Sequence, residues 1–263
     1  MNDIILTISA HPDDLEFMAG GTILQFTQEE KEVFSLITTN GCRGSLDPNA
    51  NSQEIINIRK KEAKAAAEVL GIKDVIFLDY EDGFLANIPH LELREKYIYH
   101  IRKLKPNIVM TFDPSNIYEP HSDHRHVSKA AYESCYFCHY PLFHPEFNLP
   151  KHFVSEIWLF RSPNPDKWIP LTNKLIRKKV KALLKHKSQM QMLVQEVLEQ
   201  LQAESVDTTI IEQMDIKTLV DFFVRSAAEE AGKAGRHKFA ESFKVRKIGY
   251  AEDVKKVLNS IQQ

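Results

Sequence analysis

The chain has 263 residues, of which 43% are hydrophobic and 27% are charged, as is ordinary for a globular protein. This length is enough for one large domain or two small ones with a substantial buried core. A formal net charge of -2 gives no global attraction to nucleic acid or to anionic lipid. No apolar run approaches the ~18 residues of a spanning helix. We therefore expect no nucleic-acid partner and no membrane insertion.

The three cysteines, Cys42, Cys135 and Cys138, do not form the paired framework of a small secreted protein. The CxxC spacing of Cys135 and Cys138 would suit a redox or zinc pair. However, the chain has no second CxxC motif, and the aromatic flanks of this one are more typical of thiols packed in the core. Because Met1-Asn2-Asp3 lacks the basic flank of a signal peptide, we expect a cytoplasmic protein.

Strand and helix patterns alternate over the first part of the chain. Apolar runs predict strands from Ile4 and over 33–39, 75–78 and 108–112. Helical spacing predicts helices over 15–30, from the N-cap Ser52 to Leu70 with Gly71 as the terminating residue, over 91–105 and over 127–140. This alternation is typical of a Rossmann-like α/β fold, with a mostly parallel sheet covered by helices on both faces.

The remainder of the chain reads as helical additions to that core. Residues 156–160 predict a fifth strand, and long helical spacing predicts helices over 173–202, 216–230 and 251–261. No linker of flexible composition precedes these helices. We therefore expect a single domain over 1–263, with an α/β core over 1–165 that carries the site and a strand and helices over 166–263 that pack on it.

Two features of the predicted helices, one in the first helix and one in the C-terminal part, leave alternatives open. Gly20 and Gly21 each cost about 1 kcal/mol of helix propensity against alanine, so they indicate either tight packing or the close approach of a ligand. The basic face between Arg177 and Lys187 would suit phosphates, although acidic residues further along favour an ordinary solvated face.

The turn after the first strand carries His11, Asp13 and Asp14. Ligands of open α/β sheets gather at the carboxyl ends of the strands. A histidine nitrogen and an aspartate oxygen three residues apart can point at one metal ion, which would leave Asp13 free as a base. The alternative is that Asp13 or Asp14 caps the first helix by accepting its backbone N–H groups. These residues alone do not decide between the two.

A second polar cluster, Pro120-His121-Ser122-Asp123-His124-Arg125-His126, follows the fourth strand. The carboxyl ends of parallel strands share one edge of the sheet, so this cluster is expected beside His11 and Asp14. Three histidines and an aspartate within six residues are hard to explain by packing. Two histidines and one aspartate match a zinc site that keeps a coordination position for water, as catalytic sites do. Together the two clusters favour a metal site over helix capping.

Both clusters resemble the signatures of the LmbE-like (PIG-L) zinc deacetylases. AHPDDLEFMAGGTI looks like the first signature, and PHSDHRHV is similar to the second, in which proline usually stands in place of Ser122. Weaker matches follow in the right order, namely IRKKEAKAAAEVLGI (58–72), ALLKHKSQ (182–189) and KFAESFKVRKI (238–248). The family removes acetyl groups from substrates that contain N-acetylglucosamine. The resemblance therefore implies a zinc-dependent N-deacetylase of an N-acetylated amino sugar, and since family members often assemble, it leaves a homo-oligomer open.

The resemblance also implies roles for individual residues. His11, Asp14 and His124 would hold Zn2+, and Asp13 would be the general base. His121 would polarise the acetyl carbonyl or, as an imidazolium, protonate the leaving amine.

Three further assignments concern the surroundings of these groups. Asp123 would sit behind His121 and orient it. Arg59 aligns with a family arginine that contacts substrate, whereas its sequence context alone suggests a solvated helix face. His126 matches no ligand position and is left as structural, and His186 lies in a family motif to which we can assign no role.

Two rival functions remain at this stage. One is a metal hydrolase that acts on a different amide, ester or phosphate. The other is a non-catalytic Rossmann-like module that binds a sugar or nucleotide, in which the carboxylates only cap helices. No GxGxxG or GxxxxGK[ST] motif follows any predicted strand, which weakens the phosphate-binding form of the second alternative.

Overall fold

A computed structural model describes residues 3–249 and 251–261, so Met1, Asn2, Tyr250, Gln262 and Gln263 lie outside the description. The larger elements are β1 (Ile4–Ser9), α1 (Asp14–Gln28), β2 (Glu32–Thr39), α2 (Ser52–Leu70), β3 (Asp74–Tyr80), α3 (His90–Leu104), β4 (Ile108–Phe112), α4 (Ser122–Phe137), β5 (Glu156–Phe160), β6 (Lys167–Pro170), α5 (Asn173–Leu183), α6 (Lys187–Ala203), α7 (Thr209–Glu212), α8 (Ile216–Gly235), β7 (Ala240–Lys247) and α9 (Ala251–Ile261). The predicted α/β class is confirmed.

Within these residues the strands form a seven-stranded sheet in the order β3-β2-β1-β4-β5-β7-β6. The strands from β3 to β5 in this order are parallel, and β7 runs antiparallel to both β5 and β6. The chain moves outward from β1 to β3 and then returns to the other side of β1 as β4. The topological switch point therefore lies between the carboxyl ends of β1 and β4, which is where open α/β sheets bind ligands.

Helices cover this sheet in two groups. The helices α1, α2 and α5 pack on one another, and α3 packs on α4. Ile5, Leu6 and Ile8 of β1 are completely buried between the layers, which explains why this strand reads as a continuous apolar run. The buried hydrophobic side chains at the centre of the sheet support the loops that follow β1 and β4.

The glycine pair in α1 is explained by packing. A Cβ on Gly21 would lie 2.6 Å from the Leu171 side chain, and one on Gly20 would lie 3.3 Å from Lys179. The Glu241 carboxylate of β7 accepts from the backbone N–H of Gly21 at 2.9 Å and from Lys179 Nζ at 2.6 Å. Of the two alternatives for the glycines, the structure therefore favours tight packing over the approach of a ligand.

The structure differs from the sequence prediction in three places, two of which lie after β5. The helix predicted over 173–202 is two helices, because the chain turns at 184–186 and buries His186 completely. One strand without stated bounds was predicted within 166–263, whereas the structure has two strands there, β6 and β7, which extend the sheet beyond β5. The side chain that caps α2 belongs to Asn51, which accepts from the N–H groups of Gln53 and Glu54, and not to Ser52.

The cysteine pair lies in the core. Cys135 and Cys138 are buried, and the Cys138 thiol donates to the carbonyl oxygen of His152 at 3.3 Å. Burial raises the pKa of Cys138 to about 12, so this thiol stays protonated at neutral pH. These observations favour the core interpretation over a redox or zinc pair.

Among the helices of residues 3–249 and 251–261, none combines the length and apolar character needed to span a membrane.

Candidate metal centre

The turn that follows β1 is held by the Asp14 carboxylate. Its Oδ2 atom accepts from the backbone N–H groups of Ala10 at 3.0 Å and His11 at 2.8 Å, so the carboxylate points back toward the strand end. Asp13 stands at the N-cap position with a φ of 108°, and its side chain makes no capping hydrogen bond. Neither carboxylate therefore acts as the helix cap that the alternative interpretation required.

The segment after β4 brings its histidines to the same place. The His124 ring stacks on Phe112, the last residue of β4, with 4.0 Å between ring centroids, and on His121 at 4.6 Å. His121 is the N-cap residue of α4 and accepts from the Asp123 backbone N–H at 3.2 Å through Nδ1. The aromatic contacts and the helix start together fix the direction of both imidazoles.

Three donor atoms from the two loops converge. His11 Nδ1 lies 3.2 Å from His124 Nε2 and 3.6 Å from Asp14 Oδ2, while His124 Nε2 lies 3.3 Å from Asp14 Oδ1. Ligands that surround zinc tetrahedrally at ~2.0–2.1 Å are separated by about 3.3–3.4 Å. The three residues named from the sequence as metal ligands are therefore brought together at separations that fit a divalent cation of this size.

The surroundings of the three donors are rich in buried negative charge. His11, Asp14 and His124 are only 7%, 7% and 8% exposed. On its far side, His11 Nε2 lies 3.0 Å from the Asp82 carboxylate and 3.4 Å from that of Asp123. Burial opposes protonation of His11, but its contacts with Asp123, Asp14 and Asp82 raise its pKa well above the usual value. This cluster favours a positive charge at its centre.

Asp13 lies beside the three donors with its carboxylate partly accessible. The nearest cation is Arg59, whose Nη2 is 3.5 Å from Asp13 Oδ2. Burial raises the pKa of Asp13 to about 6, with Arg59 opposing the shift and Asp14 adding to it. A carboxylate with a pKa near neutrality is a stronger base than an ordinary aspartate, as general-base catalysis requires.

Arg59 is not on a solvated helix face. Its guanidinium is buried and donates to the carbonyl oxygens of Gly41 at 3.0 Å and Pro12 at 2.7 Å. These two bonds tie the loop after β2 to the turn that contains Asp13. The family-based expectation that Arg59 contacts substrate stays a prediction, and the position of the residue beside Asp13 is compatible with it.

The surroundings of His121 differ from those expected. The Asp123 carboxylate does not orient this histidine but accepts from the backbone N–H groups of Gly83 at 2.7 Å and Leu85 at 3.2 Å. Burial and the neighbouring His11 and His124 lower the pKa of His121. Since its Nδ1 accepts from the start of α4, the neutral ring carries its proton on Nε2. The structure therefore does not support an imidazolium at His121 held by Asp123. It supports a neutral His121 ring that donates its Nε2–H.

Asp82 was not singled out from the sequence, and His186 and His126 were named there without a catalytic or metal-binding role. Asp82 follows β3 at the same edge of the sheet, so the strand-end rule could have identified it, but Glu81-Asp82-Gly83 reads first as turn chemistry. His186 is completely buried with Nε2 3.5 Å from the Glu16 carboxylate. His126 was expected to be structural, and its Nδ1 lies 2.8 Å from the Ser122 carbonyl oxygen.

Residues 6–135, which include both histidine-containing loops, match the family model described as PIG-L, GlcNAc-PI de-N-acetylase. This match confirms the PIG-L (LmbE-like) resemblance predicted from the sequence. Both motifs that led to this family in the sequence lie within the matched range, at the carboxyl ends of β1 and β4.

Individual PIG-L relatives cover different shares of the chain. The diacetylchitobiose deacetylase of Thermococcus kodakarensis is 28% identical over 249 residues, which are 92% of this chain and 84% of that protein. A probable N-acetyl-alpha-D-glucosaminyl L-malate deacetylase 2 of Bacillus anthracis is 33% identical over 49% of this chain and 58% of its own length. Both names describe deacetylases of N-acetylglucosamine derivatives.

A solved structure of the family has the same fold. The N,N'-diacetylchitobiose deacetylase of Pyrococcus horikoshii superposes with a TM-score of 0.77 at 28% sequence identity. The match covers 93% of this chain and 84% of that one. The similarity therefore extends beyond the loops after β1 and β4 to the C-terminal helices and strands.

Proposed function

We propose that the protein is a metal-dependent N-deacetylase that hydrolyses the acetamide of an N-acetylglucosamine-type sugar or glycoconjugate to acetate and a free amine. The observation that carries this proposal is the convergence of His11 Nδ1, Asp14 and His124 Nε2 at 3.2–3.6 Å, with the carboxylate of the adjacent Asp13 near Arg59. The deacetylase names of its relatives supply the reaction and the class of substrate.

His11, Asp14 and His124 would hold the ion, and we propose that it is zinc. Two imidazoles and one carboxylate form a donor set of the kind found at catalytic zinc sites. When bound, the ion polarises a carbonyl oxygen and lowers the pKa of a coordinated water toward ~7.

The remaining chemistry is assigned to this chain's own side chains. Asp13 takes a proton from the attacking water, as a carboxylate next to the ligands but outside them can. The Nε2–H of neutral His121 donates to the acetyl oxygen as negative charge develops there, a contribution of roughly 3–4 kcal/mol for one well-placed donor. The proton held by Asp13 then passes to the leaving nitrogen. Water and the amide are thereby converted to acetate and amine.

Acetate release across a panel of substrates tests this function. N-acetylglucosamine, diacetylchitobiose, an N-acetylglucosaminyl malate and a simple acetylated lysine peptide would be incubated with zinc-loaded and chelator-treated protein. We expect release of acetate from at least one sugar, loss of this activity with chelator and its return with zinc. Acetate release from the peptide alone would instead favour a hydrolase of other amides.

The second alternative, a binding module without catalysis, has its own signature. Such a module would bind sugar after chelation as well as before it, and it would release no acetate from any substrate. Elemental analysis of the purified protein, compared with sugar binding measured by calorimetry, separates the two. A metal-free preparation with undiminished sugar binding would contradict our proposal.

We also propose that residues 1–263 act as a single domain. This is supported by the pairing of β7 with β5 in one sheet, where Glu156 lies opposite Lys247. It is further supported by the contacts that Glu241 of β7 makes with the N–H groups of Gly21 and Thr22 in α1. Assembly into a homo-oligomer and a cytoplasmic location stay predictions.

A further inference from the structure

The candidate metal ligand His124 has a second carboxylate partner. While Nε2 faces Asp14, the other ring nitrogen, Nδ1, lies 3.1 Å from Oε1 of Glu119. Glu119 stands five residues before His124, in the loop between β4 and α4. Its local sequence indicates no role, and it lies just before the second motif, which begins at Pro120.

Glu119 is buried and makes several polar contacts although it lies in a loop. Its carboxylate is 5% exposed, and Oε2 lies 3.1 Å from Nε of Arg161 at the end of β5. Oε1 also accepts from the His121 backbone N–H at 3.2 Å. The side chain of Arg125 donates to the Glu119 carbonyl oxygen. Besides His124, the carboxylate is thus held by Arg161, which follows β5, and by the backbone at the start of α4.

The consequence follows from the chemistry of imidazole. A neutral ring has one N–H and one lone pair, and the partner of the N–H decides which nitrogen is free to bind a metal. A carboxylate that accepts from the far nitrogen fixes this choice, holds the ring orientation and makes the ligand more basic. Here the carboxylate at Nδ1 leaves the lone pair on Nε2, the atom that faces Asp14 and His11.

We infer that Glu119 is a positioning residue for the metal centre, which acts by accepting the Nδ1–H of His124 so that Nε2 is presented to the ion. The inference rests on the metal centre proposed above. The competing explanation is that Glu119 only fastens its loop through Arg161 and the backbone. If Glu119 positions His124, removal of the Glu119 charge weakens metal binding in a protein that is still folded. If Glu119 only fastens its loop, the same change leaves metal binding unaltered.

Glu119→Gln tests the inference because it removes the charge and keeps the size of the side chain. The measurement is zinc release from folded, zinc-loaded protein after addition of excess chromophoric chelator, together with the zinc dissociation constant by competition. Loss of such a partner typically weakens metal affinity by about 10–100-fold. We expect a loss of that size in Glu119→Gln, with a thermal unfolding midpoint of the metal-free protein close to that of wild type.

Glu146→Gln is the matched control. Glu146 also contacts a histidine, with Oε1 3.0 Å from His144 Nδ1, but it lies on the exposed loop after α4. The cluster of His144, Glu95 and Glu146 could itself take up zinc, so this control also reports any ion held there. We expect its zinc release to match that of wild type.

The outcomes separate the inference from the function on which it rests. Wild-type protein that binds no zinc would refute both the metal centre and the role of Glu119. Wild-type protein with one tightly bound zinc, and a Glu119→Gln variant that releases it within twofold of the wild-type rate, would refute the role of Glu119 alone.

A measurement on the unchanged protein covers the case in which the variant does not fold. Long-range proton–nitrogen NMR correlations of zinc-loaded wild type report which ring nitrogen of His124 is protonated. We expect the proton on Nδ1. A deprotonated Nδ1 would overturn the inference.

Discussion

Replacement of Asp13 by asparagine tests the proposed base without changing the proposed metal ligands. Asparagine has nearly the same shape and tolerates the left-handed backbone at this position, where φ is 108°. Arg59 keeps its bonds to the carbonyl oxygens of Pro12 and Gly41, which do not involve the Asp13 side chain. The fold and the zinc site should therefore survive, while the group that accepts the proton is lost.

The expected loss of turnover is large and is accompanied by a gain in stability. A general base contributes about 10²–10⁴-fold to the rate, or about 3–5 kcal/mol of activation free energy. The folded state raises the pKa of Asp13 from 3.8 to about 6, mainly by burial. At ~1.36 kcal/mol per unit, ionised Asp13 then costs the metal-free protein at most about 3 kcal/mol. This cost is absent below pH ~4 and complete above pH ~6, and the neutral amide does not incur it.

The assay combines kcat, zinc content and urea unfolding of the metal-free protein at pH 4 and pH 7.5. We expect Asp13→Asn to keep one zinc, to lose at least 100-fold in kcat, and to gain stability at pH 7.5 but not at pH 4. A variant without zinc would mean that Asp13 is a ligand. A kcat within tenfold of wild type would remove Asp13 from the role of base.

Three other substitutions test separate parts of the account. His124→Ala should abolish stoichiometric zinc binding, measured by elemental analysis after desalting, and one retained equivalent would exclude His124 as a ligand. His121→Ala should lower kcat by about 10²–10³-fold with zinc content unchanged, because one donor to the developing oxyanion is lost, and an effect only on KM would contradict that role. Glu241→Gln leaves the buried ammonium of Lys179 without its carboxylate, so urea unfolding should reveal a loss of about 3–5 kcal/mol. A change below 1 kcal/mol would mean that this pair does not hold β7 to α5.

The sequence was sufficient for the core of the fold and for the site's location. Apolar runs such as the one at Ile4–Ser9 are buried on both faces, so they are recognisable without any tertiary information. The order of strands and helices then places the loops after β1 and β4 at one edge. Because His11, Asp14 and His124 are chemically unusual in such loops, their convergence could be predicted.

Other features depend on contacts between distant residues and could not be read locally. In β7 the alternation of apolar and polar residues is broken by Glu241, which is buried because it contacts Lys179 and the middle of α1. The break between α5 and α6 lies in a stretch with uninterrupted helical spacing, and only the burial of His186 marks it.

The partners of Asp123 and Glu119 were hidden for a similar reason. Acidic residues near a histidine motif are common, and spacing does not say which atom each of them meets. The family resemblance implied that Asp123 orients His121, whereas the fold brings the backbone of Gly83 and Leu85 to that carboxylate. Glu119 reaches His124 only because the loop between β4 and α4 folds back on the helix start.

A crystal structure of the zinc-loaded protein, with anomalous scattering measured at the zinc edge, tests the central claim most directly. The account predicts one zinc ion at about 2.0–2.1 Å from His11 Nδ1, an Asp14 oxygen and His124 Nε2, with the Asp13 carboxylate outside bonding distance. An ion bound through Asp13, or bound only at His144 and Glu146, would contradict it.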